Sequence, residues 1–266
     1  MRRWEERIMD WSKTKSLFII TFLILNIFLG YQLVQKRDSS QLGVIAEASI
    51  DEKLANEEIT FDTLPKEPRE LSYISGKVKI FTEEDIKDLK NQDVNIETIG
   101  VLKSEFHEPV KISLTDQLKI QQFAKDYIIN GADYTIWSVD EEAGVIVLVQ
   151  QYQNYKVFGQ STNISGVIYL YLNEEHEVVS YEQTLIPEFE EHELEKLITP
   201  LDILDNLYNN NHLKSKSHVS KVEIVYYPLV PYSESQLLAP AWHVVIDDQT
   251  HIYVNAIEGQ ILYKTE

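Results

Sequence analysis

Residues 240–262, PAWHVVIDDQTHIYVNAIEGQIL, predict a β-hairpin followed by a short returning strand. Both arms are rich in β-branched and aromatic residues, and Asp247-Asp248 between them is a turn pair. Glu258-Gly259 predicts the second turn. His243 and His251 are placed to face each other across the hairpin, which suggests a ligand pair, but exposed cross-strand neighbours are far commoner. We therefore expect an antiparallel sheet here and no metal site.

An amphipathic helix is predicted upstream in residues 113–131, SLTDQLKIQQFAKDYIING. Ser113, three residues before Asp116, is the expected N-terminal cap, and Asn130-Gly131 is the expected stop. Apolar side chains recur at helical spacing between them. Strand-like segments follow, among them YTIWSVD and GVIVLVQQY. This order of elements, a helix and then antiparallel strands, defines the first predicted unit.

A second helix is predicted at TPLDILDNLYNNN, which begins at residue 199. Thr199 is the expected cap and Pro200 takes the first helical position. Strands again follow, and they include the hairpin described above. The predicted fold class is therefore α+β, with two tandem helix-plus-antiparallel-sheet units at residues 71–187 and 188–266 after a polar stalk at residues 36–70.

The run SLFIITFLILNIFLGYQLV, residues 16–34, predicts a membrane-spanning segment. Its 18 mostly apolar residues from Leu17 to Val34 extend roughly 27 Å as a helix, close to the hydrocarbon thickness of a bilayer. We expect a transmembrane helix at residues 17–35 after a basic cytoplasmic tail at residues 1–16. A cleaved signal peptide is the alternative, but residues 31–37 offer no small-residue cleavage site.

Charge and composition exclude several functions. The net charge is −19, and because the first 37 residues carry +4, the remainder carries −23. So acidic a region is a poor binder of nucleic acid. The chain has no cysteine, which excludes disulfides, thiol catalysis and cysteine metal sites. We expect the folded region to lie outside the cytoplasm, anchored to the cell membrane by a single pass.

Catalytic and cofactor motifs are absent from the sequence. There is no G-x-S-x-G, no P-loop and no Rossmann glycine pattern. The segment EEHELEK around His192 lacks the second histidine of a zinc-protease helix, so it indicates a solvated acidic helix face. We therefore predict no enzymatic activity, no cofactor and no metal.

The number of aromatic residues on predicted strands is unusually high for a core. The chain has 15 tyrosines, and tyrosine is enriched at protein interfaces. Half-buried sheet positions account for most of these aromatics, and the remainder point to a partner surface. The residues in question are Tyr152, Tyr155, Phe158, Tyr169, Tyr171, Tyr226, Tyr227 and Tyr232.

One face of the apolar run carries the candidate partner-binding residues. Phe22, Asn26, Gly30 and Leu33 follow helical spacing and share this face. An amide among apolar residues usually hydrogen-bonds across to another helix, and a glycine lets a second backbone come close. The alternative is an isolated anchor that tolerates one polar residue. The pattern predicts a helix that recognises partner helices.

Both ends of the sequence resemble the YycI (WalI) family. At the start the resemblance rests on Met9-Asp10-Trp11, on Lys13 and Lys15, and on Leu25-Asn26-Ile27-Phe28-Leu29; at the far end it rests on the closing hairpin of residues 240–262, which is more loosely similar to PepSY-type modules. The resemblance implies a non-enzymatic, membrane-anchored regulator of the WalK–WalR two-component system of low-GC Gram-positive bacteria. Its implied partners are a YycH-like sister protein and a WalK-like sensor histidine kinase.

Two other functions remain open at this level. The PepSY-like ending fits a surface-anchored inhibitor or chaperone of a secreted peptidase. An enzyme of the cell wall is a third possibility, which would need a pocket with convergent histidine and carboxylate side chains. The regulator is the function that we predict, acting with YycH on the control of cell-wall metabolism.

Overall fold

The computed structural model describes residues 11–39, 43–66, 70–97, 100–157, 166–229 and 234–265. The chain divides into two compact units, residues 1–53 and residues 54–266.

Helices form a minor part of the described chain. The α-helices are α1 (Trp11–Ser39), α2 (Gly43–Asn56), α3 (Glu83–Ile86), α4 (Gln117–Tyr127) and α5 (Pro200–Asn209), with a 3-10 turn at Gly131–Asp133. Strands dominate the second unit. They are β1 (Thr60–Phe61), β2 (Glu70–Lys77), β3 (Gln92–Ile96), β4 (Leu102–Lys111), β5 (Tyr134–Asp140), β6 (Val145–Tyr152), β7 (Tyr155–Val157), β8 (Val167–Leu172), β9 (Glu177–Gln183), β10 (Phe189–Lys196), β11 (His218–Pro228), β12 (Ser235–Ile246), β13 (Thr250–Asn255) and β14 (Ile261–Lys264).

Within the described residues these 14 strands form one connected, mixed sheet. The sheet divides at the β6–β7 hairpin into part I, which contains β1, β2, β7 and β10–β14, and part II, which contains β3–β6, β8 and β9. In part I, β12 is a branch point, because it pairs with β11 along one side and with both β2 and β13 along the other. In part II, β6 lies between β5 and β8.

The pairing of β2 and β7 contradicts the two tandem units predicted from the sequence. β2 belongs to the first predicted unit, yet it pairs with β10 and β12 of the second. β7 also belongs to the first unit, and it runs parallel to β11 of the second, with Lys156 opposite Val225. The fold is therefore one large mixed sheet with few helices, in which early and late strands interleave. Long-range strand pairing decided this outcome, and the local sequence pattern does not encode it.

The helix α4 supplies much of the apolar cover of part II. Ile120, Phe123 and Ala124 are buried in one cluster with β-sheet residues such as Leu148 and Leu170. The helix begins three residues later than expected. Asp116, and not Ser113, is the N-terminal cap, because its carboxylate accepts hydrogen bonds from the backbone N–H groups of the first turn.

The end of α4 explains the glycine that follows it. A Cβ atom at Gly131 would lie 1.8 Å from the carbonyl oxygen of Ala124, so no larger residue fits without movement of the backbone. The chain leaves the helical conformation at Ile128, which is extended, and Asn130, with a positive φ of 52°, then leads into the 3-10 turn. The stop predicted at Asn130-Gly131 is thus three to four residues past the last helical residue, Tyr127.

The α5 cap and the closing hairpin agree with the sequence pattern. Thr199 Oγ1 accepts a hydrogen bond from the N–H of Asp202 at 3.2 Å, and Pro200 is the first helical residue. Asp247 and Asp248 both have positive φ values, as the two central residues of a type I′ turn require, and Gln249 N–H closes this turn by donating to the carbonyl of Ile246. β12 and β13 pair across this turn from Ile246–Thr250 to Ala241–Asn255.

The segment around His192 is a strand and not the acidic helix face predicted from its sequence. β10 pairs with β2 through an irregularity between Glu191 and Leu194, and the side chains from Glu190 to Lys196 are exposed. In the described chain, β10 forms one end of the strand order. Its glutamates and its bulge are the features by which edge strands resist pairing with other sheets.

The helix α1 extends over 29 residues. Among the described residues, none of the helices combines the length and the apolar character that a bilayer crossing requires. This finding contradicts the single transmembrane helix predicted at residues 17–35.

Candidate functional site

The predicted partner-binding face lies on α1. Phe22, Asn26 and Gly30 are all exposed, and the side chain of Phe22 is 65% accessible. Leu33 is helical, but its side chain lies outside the described side chains. An open groove along the helix includes two of the predicted residues, Phe22 and Asn26. The groove is lined by Phe18, Ile19, Phe22, Leu23, Asn26 and Ile27.

Gly30 leaves room on this face. A Cβ atom built at Gly30 meets no other atom of the described chain within 4 Å. The glycine is therefore not required by contacts inside the described part of the chain. Asn26 introduces a hydrogen-bonding amide among apolar neighbours that are themselves exposed. Contiguous exposed apolar surface of this kind marks interaction sites.

A second group of candidate side chains lies on part I of the sheet. Glu223 on β11 lies opposite His243 on β12, and Glu223 Oε1 is 3.1 Å from His243 Nδ1. His243 Nε2 is in turn 2.9 Å from His251 Nδ1 on β13. The predicted meeting of the two histidines is thus confirmed. Sequence reasoning missed Glu223, because the pairing of β11 with β12 had to be known first.

Glu223, His243 and His251 form a row across the three strands, and aromatic and basic side chains surround it. The ring of His243 is almost parallel to that of Tyr253, with centroids 4.6 Å apart, and it also stacks on Trp137 at 5.2 Å. Lys221 and Lys156 both pair with the Glu223 carboxylate, at 2.7 Å and 3.3 Å. The carboxylate is thus shared among an imidazole and two ammonium groups.

Burial and charge shift the pKa values of all three groups. Burial raises the pKa of Glu223, but the hydrogen bonds from His243 and Lys221 and the two lysine charges outweigh it and lower the pKa to about 2. Burial lowers the pKa of His243, and this effect exceeds the opposing influence of Glu223. Burial, followed by the charge of Lys221, lowers the pKa of His251. Near neutral pH the row therefore consists of a carboxylate and two neutral imidazoles.

Six of the eight aromatics proposed for a partner surface lie in the described chain, and all six are buried or half-buried. Tyr226 and Tyr227 are buried, and Tyr152, Tyr155, Tyr169 and Tyr171 are half-buried. Five of these six tyrosines pack in apolar clusters with residues such as Val225 and Ile186. Phe158 and Tyr232 lie outside the described residues. These six tyrosines thus do not form an exposed docking surface.

Comparison with known proteins identifies the family. The family model described as "YycI protein" matches residues 38–257. The chain belongs to the YycI family. YycI is a family of regulatory proteins and not of enzymes, and it is generally membrane-associated. Membership links this chain to regulation of the WalK–WalR two-component system.

Other comparisons of this YycI-family chain give only structural resemblance. A search of curated proteins finds no match. A similar solved structure is the 1.45 Å crystal structure of an uncharacterized protein from Eubacterium rectale ATCC 33656. That protein is 10% identical, the TM-score is 0.45, and the match covers 79% of this chain and 91% of that chain.

The described part of the YycI-family chain presents no metal centre. Among these residues, no group of three or more histidine, aspartate or glutamate side chains is arranged to hold an ion. In the Glu223–His243–His251 row, both ring nitrogens of His243 already have hydrogen-bond partners. The row is suited to holding and moving protons.

Proposed function

We propose that this protein regulates the WalK–WalR two-component system through protein contacts, without catalysing a reaction. Its partners in this proposal are a YycH-like sister protein and a WalK-like sensor histidine kinase, and its output is control of cell-wall metabolism. The match of the YycI family model to residues 38–257 carries the proposal. We place the folded domain outside the cytoplasm, in keeping with its acidic charge and the absence of cysteine.

The contact that we propose for α1 is with a helix of the YycH-like protein. Phe22, Asn26, Gly30 and Leu33 form the contact face. The exposed groove beside Phe22 and Asn26 supports this assignment, because burial of exposed apolar side chains by a partner stabilises a complex. The open space at Gly30 supports it as well, because a partner backbone can approach there.

Regulation requires a difference in binding between two states of the kinase. A bound protein shifts an equilibrium only by its difference in affinity for the two conformations. We therefore expect the complex of this chain with its sister protein to bind one kinase state more tightly than the other. The same contacts serve activation and inhibition, depending on which state is preferred.

The test is crosslinking in intact cells with a membrane-impermeant reagent, followed by purification of the full-length chain. We expect to recover a YycH-like protein and a sensor histidine kinase. Asn26→Leu removes the amide, and we expect about fivefold lower recovery of the sister protein, as the loss of one hydrogen bond predicts. Gly30→Leu fills the space that the partner backbone occupies, and we expect a larger loss.

Control variants place the same new side chain on the opposite side of α1. Ile24 and Phe28 lie two residues from Asn26, about 200° around the helix, so Ile24→Leu and Phe28→Leu are expected to leave recovery unchanged. Unchanged recovery with Asn26→Leu and Gly30→Leu would refute the proposed contact face. Recovery of a secreted peptidase in place of the kinase would refute regulation and support the inhibitor function.

A further inference from the structure

The row of Glu223, His243 and His251 crosses three neighbouring strands. Glu223 and His243 are directly opposite on β11 and β12. His243 is opposite Tyr253 on β13, and His251 lies two residues earlier on the same strand, so the two imidazoles meet diagonally. His243 is only 2% exposed, whereas His251 is half-buried. The row therefore runs from a buried centre towards solvent.

The carboxylate fixes the position of every proton in this row. An ionised carboxylate only accepts hydrogen bonds, so His243 must donate its Nδ1–H to Glu223. The Nε2 atom of a neutral His243 then carries a lone pair, which accepts the Nδ1–H of His251. Both neutral histidines are thus Nδ1–H tautomers, and Nε2 of His251 remains the acceptor at the end of the row.

The two possible protonation steps have different consequences. A first proton binds to Nε2 of His251, and the Nδ1–H of that ring continues to donate to His243. A second proton must bind to Nε2 of His243, where it opposes the Nδ1–H of His251 across 2.9 Å. Two N–H donors cannot share a hydrogen bond, and two positive rings repel each other. The second proton therefore breaks the link between the histidines.

His243 also lies where the two parts of the sheet meet. Trp137, on β5 of part II, stacks on the His243 ring at a centroid distance of 5.2 Å and an interplanar angle of 30°. The neighbouring apolar cluster contains residues of both parts, including Val149 of part II and Ala241 of part I. Displacement of the His243 ring therefore changes a contact that joins the two parts.

The charges that face His243 come from several elements. On β11, Glu223 attracts a positive imidazole and Lys221 repels it. On β13 a protonated His251 repels it, and Tyr253 stacks on it. On β7, Lys156 binds the same Glu223 carboxylate and lies over the Trp137 ring. Lys221 and Lys156 therefore place two positive charges near the Glu223 carboxylate before any histidine is protonated.

We propose that Glu223, His243 and His251 form a proton-sensitive latch, which holds Trp137 of part II against part I while both histidines are neutral and opens when both are protonated. The latch is independent of the regulatory function proposed above.

The pKa directions agree with the latch. Burial lowers the pKa of both histidines, so the unfolded chain takes up protons near pH 6.5, before the folded chain does. The stabilisation is complete above that pH and decreases as the pH falls, since the unfolded state then binds more protons. The pKa of Glu223 is about 2, so the carboxylate stays ionised throughout this range.

The direct test is NMR of the full-length chain with nitrogen-15-labelled histidine and tryptophan. At about pH 8 we expect His243 and His251 to be Nδ1–H tautomers. As the pH falls, we expect His251 to bind a proton before His243, and the indole signal of Trp137 to move with the second step. The indole of Trp242, which donates to the carbonyl of Ile198, is the internal control. An Nε2–H tautomer of His243, or protonation of both rings near pH 6.5, would refute the latch.

A second test measures stability against pH. Between about pH 7.5 and about pH 5.5 we expect the unfolding equilibrium constant of the full-length chain to rise up to about tenfold for each latch histidine. The double variant His243→Gln and His251→Gln should lose most of this dependence. His107→Gln, at an exposed position on β4, should retain it. Equal pH dependence in the double variant and the parent would contradict the proposal.

Discussion

One leucine of α1 and one leucine of the sheet core differ sharply in their exposure to solvent. Leu29 on α1 is 51% accessible, whereas Leu170 on β8 is completely buried. The described side chains of α1 from Phe18 to Gly30 are all exposed, while part II buries an apolar cluster against α4. The cluster in part II is therefore stabilised by burial within the chain, whereas the described α1 side chains keep their apolar surface exposed, as the proposed contact with a partner requires.

The largest expected effect tests this comparison with one substitution at two sites. Leu170→Ala leaves a cavity in the buried cluster and should lower the free energy of unfolding by about 2–5 kcal/mol. Leu29→Ala should change it by less than about 0.5 kcal/mol, since the side chain has little packing to lose. Urea unfolding of both variants measures the difference. Equal losses would show that α1 is packed within the chain.

An intermediate loss of stability is expected on removal of the buried Gln150 amide, which joins β6 to the segment that follows β9. Gln150 donates to the carbonyl of Ile186 at 2.9 Å and accepts from its N–H at 2.8 Å. Gln150→Leu leaves both backbone groups without these partners, so we expect about 2–3 kcal/mol of destabilisation by urea unfolding. Gln151→Leu, at the next and exposed position, should have less than about 0.5 kcal/mol of effect. Similar values for the two variants would rule out a structural role for the Gln150 amide.

The smallest expected effect distinguishes the observed cap of α4 from the predicted one. Asp116→Ala removes the acceptor of the first-turn N–H groups and should cost about 1 kcal/mol in the free energy of unfolding. Ser113→Ala should have almost no effect, because in the described part of the chain its hydroxyl contacts Thr115 and not an N–H group of the first turn. Thermal unfolding resolves the two variants. A larger loss from Ser113→Ala would restore the predicted boundary. α1, by comparison, has no acidic residue in its first turn.

Local features of this fold could be predicted from the sequence, and long-range pairing could not. Thr199 with Pro200 and the turn at Asp247-Asp248 are set by neighbouring residues, so their patterns were sufficient. The strand at His192 was missed because EEHELEK has no strand signature of its own and is held by pairing with β2. The exchange of β2 and β7 between the predicted units has the same cause.

In the candidate sites, too, local features could be predicted from the sequence and contacts that depend on long-range strand pairing could not. The meeting of His243 and His251 could be predicted, because both belong to one hairpin with a recognisable turn. Glu223 and Trp137 could not be assigned to the same place, because each reaches it through a different strand pairing. The proposed partner face on α1 follows from helical spacing alone, so its residues were available from the sequence.

The branch at β12 has a consequence for the synthesis of the protein. β2 is among the first strands of the sheet along the chain, yet its partners Ser235 to Leu238 belong to the twelfth. A ribosome must therefore complete nearly the whole polypeptide before β2 can find its place. Until then its edge has no native neighbour on that side, and such delayed long-range pairing makes folding slow and exposes the nascent chain to aggregation.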